Sequence, residues 1–151
     1  MSVADRLAEL GIELPEASAP AGSYVPTVRT GNLVFTSGQV PFVNGKLPAT
    51  GKVGAEVSPE DAKGYARQCA INVLAAVQAA VGLDAVVRVV KVVGFVASAD
   101  GFSGQSGVVN GASDLFVEVF GEAGRHARSA VGMAELPLGA PVEVEAVLEV
   151  R

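Results

Sequence analysis

Apolar side chains recur along this chain with two periods, and the period changes at glycine and proline. Val3, Leu7 and Leu10 stand at helical spacing with Gly11 as the stop, which predicts a short helix over 3–10. A connector rich in Pro, Ala, Ser and Gly follows from Leu14 to Ser23. Two β-prone runs, Tyr24 to Val28 and Leu33 to Thr36, flank the turn-forming triplet Thr30-Gly31-Asn32 and predict a hairpin. The second run continues through Ser37-Gly38-Gln39-Val40-Pro41 into a Gly- and Pro-containing segment that reaches Gly51.

Ser58-Pro59-Glu60-Asp61 is a strong helix start, since Ser caps free N–H groups, Pro suits the first turn and the acids favour the positive end of the dipole. Ala62, Ala66, Cys69, Val73, Val77 and Ala80 then form one stripe, and Gly82 closes a helix reaching about Val81. The run VVRVVKVVGFVA, Val86 to Ala97, is apolar on both parities and predicts a central strand. Helical spacing returns from Phe102 to Phe120 through Val109, Leu115, Phe116 and Val119, ended by Gly121 and Gly124. Strands are expected near Ser129–Met133 and Val142–Val150. In the last, Val142, Val144, Ala146, Leu148 and Val150 face one way while Glu143, Glu145 and Glu149 face the other.

This order predicts one α+β domain over 1–151, with residues 1–23 as an N-terminal helix and arm: one mainly antiparallel sheet with two helices on one face. The second sheet face needs a cover, and self-association is the simplest one.

At 151 residues the chain is long enough to bury a core without disulfides or metal. A single cysteine, Cys69, and a single histidine, His126, leave little for a metal site. Eleven basic against sixteen acidic residues give a net charge of −5, which disfavours a phosphate backbone as partner, so no nucleic acid is expected. No apolar run approaches the ~20 residues that span a bilayer. Asp5 and Glu9 stand where a secretory leader would be basic and then apolar, so a cytoplasmic protein is expected.

Gly31-Asn32 and Ser37-Gly38-Gln39 match no phosphate-loop pattern that opens a helix. Cys69, in mid-stripe, reads as a small buried hydrophobe, and His126, in a short loop, as a solvated side chain left out of the chemistry. Two polar residues remain. Arg128 at a strand entry offers a planar fork for a carboxylate, and Glu143 in the last strand offers a base for water; each is equally an ordinary surface residue.

Arg128-Ser129-Ala130-Val131-Gly132-Met133-Ala134-Glu135-Leu136-Pro137 with Val142-Glu143-Val144-Glu145-Ala146 resembles the C-terminal signature of the RidA (YjgF) family of reactive intermediate deaminases. Gly31 to Pro41 resembles that family's N-terminal hairpin, and Asn110 with Phe116 its second helix, so the likeness runs from about Tyr24 to Arg151. The N-terminal helix and arm exceed the short family pattern and suggest a longer branch.

The resemblance implies a chorismate-mutase-like fold, a homotrimer with clefts between subunits, and hydrolysis of enamines or imines to 2-keto acids and ammonia without a cofactor. By analogy Arg128 would clamp the substrate carboxylate and Glu143 would position or deprotonate water. Tyr24, Ser37 and Asn110 would line the cleft, and Ala130 stands where deaminating members often carry Cys. The alternative expectation is a trimer of the same family that binds small carboxylates without turnover. An endoribonuclease reading, used for some relatives, fits poorly with the acidic charge.

Overall fold

The structure is a computed structural model that describes all 151 residues. Helix α1 spans Val3–Glu9, and strands β1 (Thr27–Thr30) and β2 (Leu33–Thr36) form the expected hairpin. Thr30 pairs with Leu33, leaving Gly31-Asn32 as a two-residue turn with Gly31 at φ 57°. Helix α2 (Pro59–Ala80) is capped by the Ser58 hydroxyl, which accepts from the Asp61 N–H at 3.1 Å. Strand β3 (Val86–Ala97), helix α3 (Gln105–Phe120) and strands β4 (Ala127–Met133) and β5 (Val142–Val150) complete the chain.

The five strands form one mixed sheet in the order β1-β2-β5-β3-β4, antiparallel throughout except for the β3/β4 pair. The last strand thus enters between the two halves of the fold. Even-numbered residues of β5 are buried under the helices and odd-numbered ones face away, as the alternation requires. The core joins Leu74 and Val77 of α2, Leu115 and Phe116 of α3, Val92 and Val96 of β3 and Leu148 of β5.

Strand β3 is interior, and its double apolar parity has a structural cause. Two register shifts against β5, between Val86 and Arg88 and between Val89 and Lys91, each insert one extra residue. The extra residues are Val87 and Val90, both exposed, while Val89 and Val92 on either side of the second bulge are both buried. Close approach of the layers requires small residues. A Cβ at Gly111 would stand 2.9 Å from the Lys63 carbonyl carbon where α2 meets α3.

Two expectations need correction. A third helix belongs to the packed layer: Leu7 of α1 is in the core, and Arg6 Nε donates to the Glu118 carbonyl of α3 at 2.7 Å. Helix α3 starts at Gln105 rather than Phe102, because Phe102 belongs to the preceding turn, its N–H donating to the Ala99 carbonyl.

Candidate active site

Glu143 begins the outward row of β5, paired with Phe95 of β3. The segment after β2 runs beside it through an antiparallel bridge of Gln39 with Val144, and Gly38 passes directly against the Glu143 side chain. Together with Tyr24, the arm residue Pro20 and Leu138 of the β4–β5 loop, these residues enclose a small cleft of about 90 Å³. Val40, Phe42 and Leu138 line the cleft together with Ser18 and Gln39, and the carboxylate is half-buried in it. Burial raises the Glu143 pKa above the ordinary carboxylate value, and the charge of Glu145, two residues along the same face, raises it further.

The cleft rim carries an unusual backbone. Leu138 is 65% exposed and has φ 62°, a left-handed conformation uncommon for a branched residue and one that tends to persist where a site demands it. Tyr24 supplies an exposed ring, while its hydroxyl accepts from the Ala21 N–H at 3.1 Å and so ties the arm to the cleft wall. Ser37 does not line the cleft: its hydroxyl donates to the Val25 carbonyl at 2.6 Å and ties β2 to the segment before β1.

Arg128 lies elsewhere. It pairs with Val92, a core residue, so its side chain leaves the sheet on the helix side and runs along α3. There Nη1 donates to Asn110 Oδ1 at 2.7 Å and to Ser113 Oγ at 3.1 Å. Nη2 donates to Ser106 Oγ at 2.7 Å and to the Ser106 carbonyl at 3.3 Å. These four contacts account for the four Nη hydrogens and leave only Nε–H uncommitted. Asn110 is therefore the guanidinium's partner, and Ser106 and Ser113 join it. Ala130, two residues on and on the same face, packs half-buried against the core.

The two halves of the expected site do not meet within one chain. Phe95 aligns Glu143 with Val131, three residues beyond Arg128 on the far strand β4. That is a separation of roughly 10 Å along the strands and roughly 10 Å across them, with the side chains on opposite faces of the sheet.

His126 is not the solvated side chain expected. Its ring meets Phe116 edge-on with centroids 5.9 Å apart, Nδ1 lies 2.6 Å from the Gly124 carbonyl and Nε2 lies 2.9 Å from Ser113 Oγ. Burial lowers its pKa, and the Arg128 charge lowers it further against the opposing effect of the Gly124 hydrogen bond. Cys69 is fully buried, its thiol pushed well up by burial, and it packs as a core residue. Ser106 and Ser113 escape the sequence reading, and Gly38 and His126 are weighed there without these contacts, because nothing in local spacing says that a residue will stand beside another 13 to 105 positions away.

Residues 4–149 match the family described as "YjgF/chorismate_mutase-like, putative endoribonuclease". The chain is 50% identical over 151 residues to protein TCP17 of Trypanosoma cruzi, covering 99% of this chain and 94% of that one. It is 39% identical over 136 residues to the 2-iminobutanoate/2-iminopropanoate deaminase of Escherichia coli K12, covering 90% of this chain and 94% of that one. A crystal structure of an Agrobacterium tumefaciens protein superposes with a TM-score of 0.92 at 48% identity, covering 99% of this chain and 92% of the other.

Proposed function

The chain belongs to the RidA (YjgF) family, and from that premise we propose that it hydrolyses carboxylate-bearing imines and enamines to 2-keto acids and ammonia, in clefts that each combine Glu143 of one copy with Arg128 of another. The observation that carries this reading is Glu143: a half-buried carboxylate with a raised pKa facing a small cleft. A base is most useful when its pKa lies near the working pH, and burial moves Glu143 in that direction.

The chemistry asks little of the protein. Glu143 takes a proton from water as its oxygen bonds to the imine carbon. That proton passes to nitrogen to give a carbinolamine; the hydroxyl proton then follows to nitrogen as the carbonyl forms and the C–N bond breaks, so keto acid and ammonia leave. General-base assistance of this kind is worth roughly 10²–10⁴-fold. Arg128 contributes orientation. Turning the exposed Ser106 hydroxyl away frees Nη2 beside the uncommitted Nε–H, and the two can hold a carboxylate side by side, a charge-assisted contact worth about 1.5–3 kcal/mol.

The sheet supports a reading in which two copies share each cleft. With Arg128 and Glu143 on opposite faces, a second chain is the route by which Arg128 could reach the glutamate's cleft. The face that carries Glu143 also exposes Val28, Phe35, Val131 and Met133, an apolar set suited to burial between subunits. A homotrimer with three such clefts is the proposed assembly. The test is to generate 2-iminopropanoate in situ and time pyruvate release against a buffer blank. Acceleration supports the enzyme, and pyruvate binding with no acceleration would leave a carboxylate-binding trimer instead.

A further inference from the structure

Arg128 is held by a hydrogen-bond chain whose direction can be read from the atoms. The Gly124 carbonyl can only accept, so His126 Nδ1, 2.6 Å away, carries the ring proton. In the neutral ring Nε2 is then an acceptor, and Ser113 Oγ at 2.9 Å must donate to it. With its proton directed at His126, the Ser113 oxygen turns lone pairs toward Arg128 Nη1, 3.1 Å away, which can only donate. Asn110 Oδ1 accepts the other Nη1 hydrogen at 2.7 Å. The ring itself is fixed edge-on against Phe116, so the chain begins at a rigid point.

We propose that His126 is a positioning residue for Arg128, setting the Ser113 hydroxyl so that the guanidinium plane is presented for a substrate carboxylate. The proposal rests on the carboxylate-clamp reading of Arg128. It also implies a pH response, because a proton on Nε2 would point a second donor at Ser113 Oγ and place a cation beside Arg128. The charged groups around the ring are Asp114 of α3, Arg125 and Arg128 beside and in β4, Arg88 of β3 and Glu149 of β5. Three of these five are cationic; burial, and after it the Arg128 charge, lowers the ring's pKa against the Gly124 hydrogen bond.

The experiment measures pyruvate affinity from pH 5 to 8 for the parent, His126→Phe and His126→Gln, with circular dichroism and solution mass as checks on folding. Phe keeps the ring packing and removes the acceptor, so affinity should fall about tenfold at pH 7.5. Gln can present Oε1 near the Nε2 position but cannot titrate. It should hold parental affinity within about twofold and lose the parent's decline at acid pH. Glu143 is common to all three proteins, so differences among them report on position 126. Parental affinity in His126→Phe overturns the proposal; if that variant does not fold, an acid decline that persists in His126→Gln overturns it. An Arg128→Lys protein that binds pyruvate like the parent would instead remove the clamp itself.

Discussion

Gly38 lies so close to Glu143 that a Cβ built on it would stand 2.8 Å from the glutamate carboxyl carbon and 3.1 Å from Cγ. The glycine is needed for space, since its φ is ordinary. Gly38→Ala should therefore push a flexible side chain aside and leave the fold intact. Misplacing a reacting group by about 1 Å can cost ~100-fold. The expected result is a melting temperature close to the parent's with imine hydrolysis reduced at least about tenfold, read from thermal melting and pyruvate release on the same preparation.

Glu143→Gln keeps the shape and removes the base, so turnover should drop by about 10²-fold while pyruvate binding stays near the parent's. Glu145 faces the same side but stands two residues on, nearly 7 Å along the strand, too far for both to hold one water. Glu145→Gln should leave the maximal rate within about twofold. It should also shift the acid limb of the rate profile to lower pH, because it removes a charge that raises the Glu143 pKa.

The same raised pKa makes a stability prediction. A carboxylate whose folded pKa lies above its unfolded one is fully tolerated below the unfolded value and loses stability as pH rises through the folded one. Glu143→Gln should therefore melt higher than the parent at pH 7.5, with the difference closing toward pH 4 in calorimetric scans. A variant less stable than the parent at neutral pH would contradict this.

Arg128→Lys replaces a planar fork by a point charge, and pyruvate affinity should weaken about 10- to 100-fold, the equivalent of the ~1.5–3 kcal/mol such a contact supplies. Arg125 is the internal control. Its guanidinium pairs with Glu122 at 3.1 Å on the surface, so Arg125→Lys should bind pyruvate as the parent does in a thermal-shift titration.

Light scattering should return three times the 15.2 kDa chain mass. Val131, 40% exposed on the Glu143 face, lies on the strand that carries Arg128. Val131→Glu would bury a charge between subunits, so it should lower the mass toward one chain and abolish turnover together. Turnover by a stable single-chain species would refute the shared cleft.

Local chemistry alone determined much of the molecule. The Ser58-Pro59 start of α2, the Gly31-Asn32 turn and the strict alternation of β5 are set by neighbours one to four residues away, so periodicity and capping place them within a residue or two. The family signature likewise singles out Arg128 and Glu143. Only the tertiary structure decided where these elements meet. The insertion of β5 between β2 and β3, and the bulges that leave Val87 and Val90 exposed, follow from pairings between residues far apart in the chain. Strand parity shows that Glu143 faces away from the even-numbered row, but the side Arg128 takes depends on its register with Val92 across a crossover helix. His126 illustrates the same limit. Its loop sequence suggests solvent, whereas it is half-buried against Phe116 and bonded to Ser113 and Gly124, because packing of a side chain is settled by neighbours brought in from another element.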